Sequence, residues 1–213
     1  MKKILFASLA SASLVLPVAA SAAESSVNVQ VVSNYVFRGQ TQTKDGAAIQ
    51  AAYDIKQSKA DTGWYAGVFG SNVNKGAEID LYGGWKGSFG EKKNMGYDVG
   101  AALYKYTDSA FSPDITEIYG GINYETAYAK IYLGSGSGVK NYTYLDLGAT
   151  FIVMKDLNLD VHYGHMSEGG TNDVSASVGQ DIKGFNLKLG LTYEDSGVNG
   201  TEFFVTVGKS FDL

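Results

Sequence analysis

The sequence predicts an all-β protein: a transmembrane, antiparallel, up-and-down β-barrel of about twelve strands. Three observations carry this expectation. After the first 22 residues, apolar and polar side chains alternate with a period of two almost to the end, and no segment there keeps a helical period. Turn-forming residues cut the chain into segments near the ~10 residues that a tilted strand needs to cross a bilayer. Aromatic residues gather near the segment ends, where interfacial girdles belong.

Residues 1–22 read as a signal peptide. Lys2 and Lys3 form a positive start, Ile4 to Val18 an apolar run, and Ala20-Ser21-Ala22 a small-residue cleavage site. The barrel domain is then 23–213. The first strand is placed at 27–38, with Val27, Val29, Val31, Tyr35 and Phe37 on one face and Asn28, Gln30, Asn34 and Arg38 on the other. The second and third fall at 47–57 and 63–73, where Val68 and Phe69 compete for the outer face. At 77–87, Ala77, Ile79, Leu81 and Trp85 oppose Glu78, Asp80, Tyr82 and Lys86. Segments 96–107, 115–124, 127–134 and 142–153 continue the pattern. In 157–166, Leu157, Leu159, Val161 and Tyr163 oppose Asn158, Asp160 and His162. Strands at 172–182, 185–194 and 201–213 complete the set, and the last alternates through Phe203, Val205, Val207, Phe211 and Leu213. Such an ending suits recognition by the barrel-insertion machinery of an outer membrane.

Alternation alone does not say which face is wet. Charges are scarce on the apolar faces, with Lys105 and Lys209 as exceptions near strand ends. Glu125-Thr126, Lys155-Asp156 and Lys183-Gly184 are tight connections, whereas 39–46, 108–114, 134–141, 167–171 and 195–200 are longer. Tight turns on one side and longer loops on the other fit a barrel in a Gram-negative outer membrane. None of the longer connections looks long enough to fold in as a plug.

Composition excludes several classes. The chain has no cysteine, so a disulfide scaffold, a thiolate metal site and a cysteine nucleophile are out. Its net charge is −5 and Arg38 is the only arginine, with no basic run, so nucleic acid is not an expected partner. Aromatic content of 13% argues against disorder. Mean hydropathy is −0.08, unusual for a chain that also carries 27 glycines and 15 tyrosines. No motif for a cofactor or metal stands out; the glycine pairs 83–84, 120–121 and 169–170 do not open a helix, as a phosphate loop must.

Ser33-Asn34-Tyr35-Val36-Phe37-Arg38-Gly39 resembles the hallmark of the TorF-type porins, a Gram-negative family. The likeness continues through Gln40-Thr41-Gln42, Ala48-Ile49-Gln50, Gly63-Trp64-Tyr65-Ala66-Gly67 and Glu78-Ile79-Asp80-Leu81-Tyr82-Gly83-Gly84. It includes Tyr97-Asp98-Val99-Gly100 and Thr116-Glu117-Ile118-Tyr119-Gly120-Gly121. The resemblance implies an outer-membrane barrel with a pore role, and it offers no catalytic residue.

Twelve strands tilted by ~40° close a backbone cylinder roughly 24 Å across, with roughly 12 Å left inside the side chains. The expected pore-lining acids are Asp54, Glu78, Asp80, Asp98, Glu117, Asp146, Asp160, Asp181, Glu194 and Glu202, and the cations Arg38, Lys56, Lys86, Lys130 and Lys188. An acid excess favours passage of cations. The same charges could instead pair into a polar core, leaving a closed structural or binding barrel. For Arg38 the expected role is a clamp on a carboxylate at similar depth, Glu78 or Glu117, or else a mouth charge that orients a solute. His162 invites a third reading, hydrolysis, because Asp160 shares its face and Ser175 and Ser177 lie on the next strand. Polar faces rich in Ser and Asp produce that coincidence cheaply, and the chain is not expected to be an enzyme. The expected partners are outer-membrane lipid, small solutes or ions, and the insertion machinery.

Overall fold

A computed structural model describes residues 23–57, 62–108, 113–198 and 200–213. The signal-peptide expectation at 1–22 lies outside the described residues. The first part of the chain forms β1 (Ala23–Val32), β2 (Val36–Phe37), β3 (Gln40–Thr41), β4 (Ala48–Gln57), β5 (Thr62–Asn72), β6 (Ala77–Phe89) and β7 (Met95–Tyr106). It continues with β8 (Ile115–Tyr124), β9 (Ala127–Gly136), β10 (Val139–Met154), β11 (Leu157–Met166), β12 (Thr171–Ile182), β13 (Phe185–Glu194) and β14 (Gly200–Asp212). All but β2 and β3 close one barrel, each strand antiparallel to its sequence neighbour. β1 completes the circle by pairing with both β4 and β14, so Val29 stands opposite Ala51 on one side and Lys209 on the other. Closure leaves no unpaired sheet edge, which a lipid environment would not tolerate.

The wall is polar inside and apolar outside. Ile49, Phe203, Ile122 and Leu189 are 67%, 66%, 58% and 56% exposed, while Glu117, Glu78 and Glu194 are at 0%, 1% and 2%. Burying charge while exposing large aliphatic groups suits a barrel with hydrocarbon around it. Val68 faces out and Phe69 faces in. Trp64 pairs in register with Trp85, and Phe89 packs against Tyr97 with ring centroids 6.4 Å apart, an aromatic belt at one end. Lys209 points outward at that end over Phe185 and Phe211, and Lys105 at the opposite end pairs with Asp114. Both keep their charge at the rim while their stems cover apolar wall.

The two ends differ. Glu125, Asp156 and Lys183 adopt left-handed φ of 50°, 62° and 55° in two-residue hairpins. Such turns match the twist of the strands they join. This is the turn end, which also holds Ala23 and Leu213; Leu213 N–H donates to Ser25 O at 2.9 Å. The loop end carries the connections 33–47, 73–76, 137–138 and 167–170, together with residues 107–108, 113–114 and 195–198.

The structure corrects the sequence reading in three places. The expected loop at 134–141 is mostly strand: β9 and β10 extend past it with a bulge, leaving residues 137–138 as the link. The first strand stops at Val32, not at residue 38. Tyr35 and Phe37 are therefore not girdle residues: the chain turns inward at Ser33, and segment 33–47 folds into the lumen. The expectation that no connection plugs the barrel fails for that segment.

Part of the abundance of glycine and tyrosine has one shared reason. Across the lumen wall, tyrosines lie over inward-facing glycines: Tyr82 over Gly67, Tyr128 over Gly148, Tyr142 over Gly134 and Tyr144 over Gly164. A Cβ at any of these glycines would collide with the ring. The small residue lets a large one lie flat along the wall and reach its neighbours with its hydroxyl.

Candidate functional site

The infolded segment is held by polar bonds along its length. Ser33 N–H donates to Val205 O at 2.9 Å, and Ser33 Oγ accepts from Val205 N–H at 2.8 Å. Asn34, 5% exposed, donates to Glu202 at 3.0 Å and accepts from the Thr41 hydroxyl at 2.6 Å. β2 and β3 pair Val36 with Thr41 and Phe37 with Gln40. Arg38 and Gly39 form the tip, with φ of 50° and 78°. Two left-handed residues make the turn type that joins short antiparallel strands, and glycine enters it at least cost. Gln42 N–H returns to Tyr35 O at 2.7 Å, and Asn74 N–H reaches Gln42 O at 2.7 Å.

The tip delivers Arg38 to the far wall. Its Nη1 and Nη2 donate to Glu117 Oε1 and Oε2 at 2.7 and 3.0 Å. Tyr142 OH donates to Oε1 at 2.6 Å and Tyr104 OH to Oε2 at 2.8 Å. The Glu117 carboxylate is thus fully surrounded by donors. The guanidinium carbon lies 4.0 Å from the ring centroid of Tyr144, 4.7 Å from that of Phe37 and 5.0 Å from that of Tyr132. The pair that the sequence offered as a clamp between Arg38 and Glu117 is formed, but from a lumenal hairpin and not from a wall strand.

Below the tip, His162 sits between two carboxylates, Nε2 at 3.1 Å from Asp146 and Nδ1 at 3.3 Å from Asp173. Tyr144 OH donates to Asp173 at 2.9 Å. Ser175 pairs with His162 in register. Nε2 also lies 3.2 Å from the Tyr144 hydroxyl, so the groups around both ring nitrogens are carboxylates and a phenol, whereas a hydrolase turns one histidine nitrogen to its nucleophile. Asp160, the expected partner of His162, instead accepts from Lys188 at 2.9 Å and Thr150 at 2.8 Å.

The lumen is divided by charge. Toward the loop end lie Glu78, Asp80, Glu117, Asp173, Glu194 and Glu202, with Asp146 near the middle; Arg38 is the half-buried cation set among them, and Lys44 of the same infolded segment is exposed. Glu78 accepts from Tyr106 at 2.8 Å and Glu194 from Ser196 at 2.6 Å. Glu78 Oε2, Asp80 Oδ1, Asp146 Oδ1 and Glu194 Oε1 are buried without a hydrogen-bond partner. Toward the turn end, acids and cations alternate. Lys130 bonds Asp98 at 2.6 Å, and Asp98 also accepts from Tyr65 at 2.6 Å. Asp54 accepts from Tyr82 and Asn28, at 2.5 and 3.2 Å. Lys56 lies 3.4 Å from Glu24, and Lys86 stands 5.0 Å over the Tyr65 ring. Cavities of about 520 and 500 Å³ open at this end, both bordered by Lys56 and Lys86. A smaller one of about 280 Å³ borders Arg38, Tyr144, Asp146 and Asp173.

Of the acids expected to line the lumen, Glu78, Asp80, Glu117 and Glu194 are buried, and Asp54, Asp98 and Asp160 accept bonds from other strands, whereas Asp181 is exposed and accepts from Gly184 N–H in its own turn. The sequence reading missed the tyrosines. Tyr104, Tyr142 and Tyr144 build the surroundings of Arg38 and Glu117, and only their place in the polar phase of their strands could have marked them.

A family model described as a bacterial protein of unknown function (Gcw_chp) matches residues 17–211. No curated protein matches the sequence. Among solved structures, a KdgM porin in complex with disordered oligogalacturonate is similar at a TM-score of 0.60 and 11% identity, over 87% of this chain and 99% of that one. An outer membrane channel from Pseudomonas putida F1 is similar at 0.55 and 12% identity, over 93% and 97%. Outer membrane phospholipase A from Escherichia coli is similar at 0.51 and 10% identity, over 88% and 89%. At these identities the likeness is one of fold.

Proposed function

The chain belongs to the Gcw_chp family of bacterial proteins of unknown function, and on that footing we propose that it is an outer-membrane porin: a narrow, cation-leaning passive channel for small solutes. Residues 1–22 would direct export, lipid would surround the barrel, and the turn end would face the periplasm. The likeness in fold to the KdgM porin and to the Pseudomonas channel supports a pore, as does the resemblance to TorF-type porins. One observation carries the selectivity: the loop-end half of the lumen holds a cluster of buried carboxylates around the single guanidinium of Arg38. Such an excess in a low-dielectric tube attracts cations and repels anions. It is poorly matched to a polyanion such as the oligogalacturonate of the KdgM complex. Hydrolysis is not part of this reading, because the groups around His162 are Asp146, Asp173 and the Tyr144 hydroxyl, not a serine.

The test is the reversal potential of the refolded full chain in a planar bilayer across a KCl gradient. A potential on the cation side supports the reading. A potential on the anion side overturns the selectivity, and absence of current replaces the channel with a closed barrel.

A further inference from the structure

Arg38 occupies a cage that would suit the same chemical group on another molecule. Glu117 is 0% exposed, and both its oxygens already accept a phenol hydroxyl each, from Tyr104 and Tyr142. The remaining lone pairs point at a planar fork of N–H donors, and the ring of Tyr144 lies 4.0 Å beneath the guanidinium carbon. We propose that this cage is a receptor site for guanidinium-bearing solutes, and that hairpin 33–47 fills it in their absence as a built-in competitor.

Three arguments support this. First, the cage cannot stand empty cheaply. Removing one partner of a buried ion pair leaves an uncompensated charge, so the hairpin leaves most readily when another cation takes its place. Second, the geometry selects guanidinium over ammonium. Two parallel N–H···O bonds to one carboxylate and flat stacking on a ring need a planar fork, whereas an ammonium is a point charge. Third, there is room beside Arg38. The cavity of about 280 Å³ beside Arg38 is bordered by Tyr144, Asp146 and Asp173, so an arriving cation meets carboxylates next to the guanidinium it would displace. The hairpin is joined to the mouth through Ser33, Asn34 and Gln42, and its tip through Arg38, so exchange at the cage would free the tip while the base stays bonded.

The consequence for conduction rests on the channel reading above: a guanidinium solute would open the path that the hairpin narrows. The experiment uses the full chain in detergent micelles and in planar bilayers. Methylguanidinium chloride is compared with methylammonium chloride and NaCl at equal ionic strength. Hydrogen exchange of the 33–47 amides is read by mass spectrometry, and open-channel current is read in the bilayer. Several-fold faster exchange with methylguanidinium alone, lost in Glu117→Gln, supports the receptor site. Unchanged exchange, or equal acceleration by methylammonium, overturns it. Accelerated exchange in a barrel that passes no current supports the receptor site and overturns the channel. The wild-type exchange measurement decides even where the variant fails to fold.

Discussion

The Cα of Gly39 lies so near the wall that a Cβ built on it would stand 2.7 Å from the Cβ of Glu194. Asp173 would be as close, at 2.8 Å, and φ at Gly39 is 78°. The turn that carries Arg38 is fitted to a wall with no room for another carbon. Gly39→Ala is therefore expected to undock the hairpin. The left-handed backbone alone costs about 1–2 kcal/mol for alanine, and the contact adds to it. Amide exchange in 33–47 should accelerate, while heat-modifiable mobility on gels shows that the barrel itself persists. Unchanged exchange would show that the wall yields.

Arg38 and Glu117 should be strongly coupled. Arg38→Leu leaves Glu117 buried without its cation and is expected to lower stability by about 3–5 kcal/mol. Arg38→Leu with Glu117→Leu should lose less than the sum of the two single changes, because neither charge is then stranded. Thermal unfolding of all four proteins in one detergent checks this. Additive losses would mean that the pair does not act as a unit.

Facing can be read by placing charge on each side of one strand. Leu189→Arg, on the lipid side of β13, is expected to cost about 2–4 kcal/mol and to reduce insertion into liposomes. Asn186→Arg, on the inner side near the turn end, should insert like the parent. Equal loss at both positions would invalidate the assignment of the two faces.

Selectivity should depend on which half of the lumen is altered. Glu78→Gln with Asp80→Asn removes two buried carboxyl groups at the loop end and should weaken the cation preference. Asp98→Asn strips Lys130 of its partner and should move the reversal potential further toward anions. Raising salt should diminish the differences, since the screening length falls from about 10 Å at 0.1 M to about 3 Å at 1 M. Reversal potentials at both concentrations provide the measurement.

The strands were legible because a period of two is a local property. Leu187, Leu189 and Leu191 declare their face whatever the rest of the chain does. The hairpin was not legible, because its reasons are distant. Asn34 bonds a carboxylate 168 residues away, and Ser33 an amide 172 residues away. Locally, Val27, Val29, Val31, Tyr35 and Phe37 look like one continuous face. The adjacent pair Val31-Val32 was the available signal, since two neighbouring apolar residues break the alternation just where the chain leaves the wall. Charge reasoning still offered Glu117, alongside Glu78, as a partner, because a lone arginine among acids has few places to go.

The hairpin's place in the chain constrains the order of assembly. It follows the first wall strand, yet its partners Glu117, Tyr142, Glu194 and Glu202 lie on β8, β10, β13 and β14. Contacts so remote in sequence are slow to form, because loop closure precedes any gain from them. The cradle for Arg38 stands on β7 to β10, whereas the mouth bonds of Ser33 and Asn34 reach Val205 and Glu202 on β14. The hairpin is therefore held at both tip and base only once the final strand is in place, and its complete docking is a late event. Changes at Arg38 or Gly39 would then leave the folding rate nearly untouched and act on the rate of unfolding.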